Sequence, residues 1–238
     1  WRCEETEPAR WSSLNPNPRV RWRHEGVAEK VYDMSAATKA NLRRELLAAR
    51  RAVPEALRRT ESEQLCAHLG RAVEGARTVC AYLPVGSEPG SPKMLDVLSG
   101  LCATVLLPVV RTGPDGAHLP LQWGRYEHGR LVPGPFGLRE PAEPWLPAAA
   151  VARAHVVLVP AVAVDRRGVR LGRGGGFYDR SLPMCAAGTR LVAIVRDCEI
   201  LDELPRDPHD VAMTHALTPG RGLLRLGAGR SPDGGAGT

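Results

Sequence analysis

The chain has 238 residues, 43% hydrophobic and 24% charged, with a formal net charge of +6 and a sequence pI of about 9.3. These values place it among ordinary globular proteins, long enough to bury a real core in one large domain or two small ones. The basic balance points to an anionic partner (nucleic acid, a phosphorylated ligand or a polycarboxylate), and the lack of any apolar run of about 18 residues argues against a transmembrane helix.

The six cysteines, Cys3, Cys66, Cys80, Cys102, Cys185 and Cys198, form no C-x-x-C pair. Their spacing suggests neither a zinc site nor a disulfide framework, and it fits a reducing, cytoplasmic setting. The N-terminus lacks the apolar core of an export signal.

Residues 1–33 carry prolines, charges and tryptophans without periodicity, and read as a poorly ordered extension with Met34 as a candidate start. Residues 227–238 are glycine-rich and read as a loose tail. Between them, 34–226 form the expected domain. SAATKANLRRELLAARRAV places Leu42, Leu46 and Ala49 on one helical face, with Ser35 as a candidate cap. Pro54 opens a second helix, PEALRRTESEQLCAHLGRAV. TVCAYLP reads as a strand, SPKMLDVLSG as a short helix, and ATVLLPVV and HLPLQWG as strands. A proline- and glycine-rich loop, LVPGPFGLREP, follows. AHVVLVPAVAV carries the strongest strand signal, RLVAIV is another, and MTHALT is a short last one. Continuous apolar strands alternating with helices predict an α/β fold, a three-layer α/β/α arrangement around a mainly parallel sheet.

One loop stands apart. RLGRGGGFYDR, residues 170–180, follows the strongest strand and runs into a short helix at FYDRSL. Successive glycine amides make a concave anion-binding nest, a helix N-terminus adds partial positive charge, and Arg170, Arg173 and Arg180 add full charges. The plain alternative is a flexible surface turn. The P-loop pattern is absent, and the dinucleotide fingerprint counted from Gly172 fails at Phe177. Kinase signatures are also missing.

PAVAVDRRGVRLGRGGGFYDRSL closely resembles the signature of the 5-formyltetrahydrofolate cyclo-ligase family, also called 5,10-methenyltetrahydrofolate synthetases. KANLR at 39–43, AYLPVGSEP at 81–89, FGLREP at 136–141 and LPRDPHDVAMTHALTP at 204–219 resemble further family segments in the right order. The likeness covers about residues 36–220. Departures are Ala161 for glycine, Val164 for phenylalanine, Phe177 for the first tyrosine, and Glu199 where many members carry glutamine.

The resemblance implies a fold similar to sugar-phosphate isomerases and coenzyme A transferases. It also implies ATP- and magnesium-dependent conversion of 5-formyltetrahydrofolate to 5,10-methenyltetrahydrofolate. Arg170, Leu171, Gly172, Arg173, Gly174, Gly175, Gly176, Phe177 and Tyr178 would wrap the ATP phosphates, with Arg173 carrying transition-state charge. Lys39 and Arg43, at i and i+4, would reach the phosphates from the first helix; residue type alone reads them as solvated charges. Asp179 and Asp210 would hold magnesium, a hard ion suited to carboxylates. By themselves they read as a helix-start charge and a turn former. Glu88 and Leu83 would contact the pterin, with Phe177, Tyr178 and Trp123 as aromatic walls; buried aromatics are also ordinary core. His209 and His215 are read as structural.

The substrate is expected to be a small molecule, with no membrane and no nucleic acid. Aromatic content is 5% and no RNA-binding motif is present. The chain is read as a monomer. The competing reading is an isomerase-like or transferase-like enzyme that binds phosphate without hydrolysing ATP.

Overall fold

The structure, a computed structural model, describes residues 20–22, 28–30, 38–208 and 210–227. Met34, Ser35, His209 and most of the two terminal segments lie outside those residues. The chain divides into a unit over 1–36 and a unit over 37–238. In the first, Val20–Trp22 and Ala28–Lys30 pair as an antiparallel ribbon.

The second unit is built on a seven-stranded sheet. Its strands are β1 (Thr78–Cys80), β2 (Thr104–Val109), β3 (Gln122–Arg125), β4 (Val156–Pro160), β5 (Arg190–Ile194), β6 (His215–Thr218) and β7 (Gly222–Arg225). Their spatial order is β7-β6-β5-β4-β1-β2-β3. The inner five run parallel, and β3 and β7 pair antiparallel at the edges. The strand β7 follows MTHALT, which the sequence pattern gave as the last. A four-residue edge strand carries too little periodicity to announce itself.

The parallel strands are apolar throughout because both faces are covered. The two-residue period sorts them. Val105, Leu107, Val156, Leu158, Val192 and Ile194 face a cluster with Leu65, Leu69, Met94 and Leu98 of α2 (Glu55–Ala72) and α3 (Lys93–Leu101). Leu106, Val157, Val159, Leu191 and Ala193 face Trp123, Val151, Val164 and Leu182 on the other side. The expected three layers are present.

AHVVLVPAVAV does not remain one strand. It divides after Pro160, which has no N–H to continue a ladder. Ala163–Asp165 then joins a small sheet between Arg170–Leu171 and Ile200–Leu201. LVPGPFGLREP, expected as a loop, is a ribbon of Leu131–Pro133 against Arg139–Pro141.

Helix α1 (Lys39–Ala52) is capped by Thr38, whose Oγ1 accepts the Asn41 N–H at 3.2 Å. Its buried residues are Leu42, Leu46 and Arg50, while Ala49, expected on that face, is exposed. The four-residue step selects position 50, and the arginine there finds a buried partner.

Candidate functional site

Strand order reverses at the β1–β4 boundary: the chain moves outward through β2 on one side and through β5 and β6 on the other. Open α/β sheets place ligands beyond the carboxyl ends of the strands at such a switch point. A cavity of about 340 Å³ lies there, lined by Tyr82 and Leu83 after β1, Val110 after β2, and Ala161 and Val162 after β4. The glycine loop closes it, contributing Arg170 and the run from Gly172 to Asp179. The volume is that of a small-ligand pocket.

The loop keeps its shape because glycine permits it. Gly174 and Gly176 have φ of 100° and 69°, in the left-handed region. A Cβ on Gly176 would come within 2.3 Å of the Arg180 guanidinium. From α1, Arg43 donates Nε–H to the Gly172 carbonyl at 2.7 Å. Across the cavity mouth, His118 stacks on Phe177 with centroids 4.2 Å apart, and its Nδ1 lies 2.7 Å from the Gly175 carbonyl oxygen. The following helix, α4 (Phe177–Ser181), has five residues. Its end charge is therefore small.

Arg173 is half exposed and reaches Glu88 at 3.1 Å, where the Glu88 side chain is 8% exposed. Burial pushes the Glu88 carboxyl above its ordinary range; the Val85 N–H and the charges of Arg173 and Arg50 pull back without cancelling it. Arg170 is buried against Asp179 and stands over the Tyr178 ring. Burial also raises the Tyr178 phenol, so it stays neutral. Among the described residues its buried hydroxyl has no hydrogen-bond partner. An unpaired buried polar atom costs stability that a ligand hydrogen bond recovers.

Lys39 lies outside the cavity lining, 2.7 Å from Asp207 and 2.6 Å from Asp210. Partial burial works against its charge, yet the two carboxylates outweigh it and hold Lys39 above its ordinary value. Asp179 lines the cavity and Asp210 does not. Among the described residues, no three His, Cys, Asp or Glu side chains gather as a metal cluster.

A model of the 5-formyltetrahydrofolate cyclo-ligase family matches residues 35–219, most of the chain and all of its site. The chain belongs to this family. It is accordingly a ligase. A 5-formyltetrahydrofolate cyclo-ligase of Mycolicibacterium smegmatis is 58% identical over 193 residues, covering 81% of this chain and all of the relative. One from Escherichia coli K12 is 30% identical over 147 residues, 61% of this chain and 80% of its own. The solved 5,10-methenyltetrahydrofolate synthetase of Aquifex aeolicus superposes with a TM-score of 0.65 at 27% identity, covering 83% of this chain and 97% of that one. No helix among the described residues is long and apolar enough to cross a membrane.

Of the residues the cyclo-ligase resemblance implied, Leu83, Glu88, Arg170, Gly172, Arg173, Gly174, Gly175, Gly176, Phe177, Tyr178 and Asp179 line one cavity. Arg43 touches its loop, while Leu171 is buried beneath. Trp123 differs: it is 1% exposed within the core cluster beneath the sheet and does not line the cavity. The inward phase of β3 carries it there.

Several cavity residues had not been singled out. Arg50 donates Nε–H and a terminal N–H to the two oxygens of Glu199, both at 2.7 Å, and another to the Ala161 carbonyl at 2.6 Å. Its signal was an arginine at the third place of a buried i, i+4, i+8 stripe. Glu140, buried on the cavity wall, accepts the Val110 N–H at 2.6 Å and pairs with Arg111 at 3.0 Å. Tyr82 is buried there too. His118 carries no spacing signal; only the fold brings it to Gly175.

Proposed function

We propose that this chain converts 5-formyltetrahydrofolate to 5,10-methenyltetrahydrofolate with ATP and magnesium, releasing ADP and phosphate. The observation that carries the reading is one cavity lined by the glycine nest and Arg173 together with Glu88 and Leu83, with Arg43 holding the loop through the Gly172 carbonyl. The nest suits phosphate, and Glu88 with Leu83 suits a flat heteroaromatic ring with N–H donors.

The formyl oxygen is a poor leaving group, and phosphorylation makes it a good one. It attacks the γ-phosphorus and the bond to ADP breaks. N10 then closes on the activated carbon, the C–O bond breaks, and phosphate leaves with that oxygen while N10 gives up its proton. Such a transfer needs positioning and charge stabilisation more than a protein nucleophile. The loop amides from Gly172 to Gly176 hold the phosphates, and Arg173 exchanges Glu88 for the developing charge. Glu88, freed of Arg173, accepts N–H bonds from the pterin. The Tyr178 hydroxyl hydrogen-bonds the ligand, and Phe177 with His118 walls the mouth. Lys39 reaches a phosphate only on leaving Asp207 and Asp210.

Magnesium neutralises phosphate charge when bound. It needs only one or two carboxylates where phosphates supply other oxygens, and Asp179 on the cavity wall would fit that requirement with the oxygen that Arg170 does not hold. Asp210, held by Lys39, joins only if that pair opens. Free thiols at Cys66, Cys80, Cys102, Cys185 and Cys198 support a reducing, cytoplasmic setting.

The test is near-ultraviolet absorbance with 5-formyltetrahydrofolate, magnesium and ATP, beside an ATP-free control. Ring closure creates a conjugated amidinium that absorbs at longer wavelength. An ATP-dependent rise is expected. A folded protein giving no rise, or one independent of ATP, overturns the reading.

A further inference from the structure

A second cavity, also about 340 Å³, shares Glu88 with the first but opens onto α2 and the start of α3. Arg58 and Ser62 stand one turn apart on the same face of α2. Lys93 approaches that face from the first position of α3. Its charge is felt at Cys66, the next turn along, where burial raises the thiol and Lys93 pulls it back.

Three features of this wall ask for a negatively charged ligand. Ser62 is 7% exposed, lines the cavity, and forms no hydrogen bond within the described residues. Other hydroxyls on helices behave differently: those of Thr60, Ser99 and Ser181 turn back onto carbonyls four residues earlier. Helix α3 starts at Pro92 without a side-chain cap, so the Lys93 amide has no acceptor within its helix. Finally, Arg58 and Lys93 form no ion pair among the described residues. The neighbouring cations are taken: Arg59 by Glu55 at 3.5 Å, and Arg196 by Glu61 at 2.7 Å. Arg58 and Lys93 therefore face the space against the carboxylate of Glu63, since of the other two lining carboxylates Glu55 is held by Arg59 and Glu88 by Arg173. A neutral ligand would leave both unmatched.

We infer that this cavity is an oxyanion site, taking a carboxylate or phosphate group through Arg58, Ser62, Lys93 and the uncapped start of α3. The site shares Glu88 with the first cavity but takes none of its donors from the glycine nest, and it does not depend on the ring-closing reaction. Its chemistry is a charge-assisted clamp of guanidinium, ammonium, hydroxyl and backbone amide around one group.

Residue-resolved ¹⁵N NMR on the full chain tests it, with inorganic phosphate in one arm and γ-glutamyl-glutamate in the other. Saturable shifts are expected at Ser91, Lys93 and Met94, unchanged in Arg43→Ala, which loosens the glycine loop without touching Glu88. The Arg58→Ala/Lys93→Ala double variant weakens binding by about tenfold or more, as loss of charged donors predicts. Ser62→Ala weakens it by a smaller factor and keeps the helix. The tighter probe identifies the group, phosphate or carboxylate. Shifts confined to residues 172–176, or no saturable shift with either probe, overturn the inference. So does undiminished binding by the double variant.

Discussion

Two arginine–glutamate pairs border the main cavity, and they are built differently. Arg50 and Glu199 are 1% and 4% exposed, joined bidentately, and further tied to the Ala161 carbonyl and the Arg196 N–H. Arg173 and Glu88 are 48% and 8% exposed and meet through one contact at 3.1 Å, with a long bond from Arg173 to the Val85 carbonyl. Arg50 uses Nε and one terminal nitrogen, and both Glu199 oxygens accept, so the pair fixes α1 against the strand ends. The second holds a charge in reserve, because its arginine can leave for a better anion at little cost. Burial with a bidentate, multiply bonded pair marks architecture; half-exposure with a single ion-pair contact marks a group free to act.

Deleting Glu199 breaks this contrast most severely. Glu199→Ala leaves the buried Arg50 charge uncompensated, and should cost about 3–5 kcal/mol in chemical denaturation. Arg50→Ala should cost as much, and a loss comparable to a surface pair would show that the network is not structural. Arg173→Ala should do the reverse. Removing one preorganised donor of a phosphoryl-transfer site lowers kcat by about 10²–10³, or roughly 2.7–4 kcal/mol, while the melting temperature stays near wild type. An unfolded or fully active variant would erase the distinction.

A smaller effect follows at Arg43, which supports the loop through the Gly172 carbonyl. Arg43→Ala should raise KM for ATP about tenfold, near 1.4 kcal/mol, with kcat changed less. Equal losses in kcat and KM would instead place Arg43 at the reacting phosphoryl. The last effect is on stability and concerns Glu88. Its folded-state carboxyl sits above the ordinary 4.5, chiefly through burial. The stability contributed by its proton is full below 4.5 and is lost as pH rises through the folded value. Glu88→Gln mimics the protonated form, so it should melt higher than wild type near neutral pH. That advantage should fade as acid titrates the wild type. Melting curves against pH check it, and a gain that persists in acid would rule out the carboxyl as the cause.

Much of this was legible before any coordinates. The runs ATVLLPVV and RLVAIV became β2 and β5 almost residue for residue, since a strand buried on both faces needs an unbroken apolar run. The glycine loop announced itself because glycine is costly to order without a purpose. Trp123 was placed at the pocket because residue type does not reveal which face of a strand looks inward. Arg50 was hidden because an arginine rarely continues an apolar stripe, and its partner lies 149 residues away.

The sequence by itself determined the helices, the parallel strands, the glycine nest and the family, because each depends on contiguous residues and their period. Only the tertiary structure decided that β1 and β4 are neighbours, and hence where the cavity opens. It alone brought His118 to Gly175, Arg50 to Glu199, and Arg58 and Ser62 to the start of α3. Those meetings follow from strand order and crossovers, which act over tens to hundreds of residues and leave no local periodicity to read.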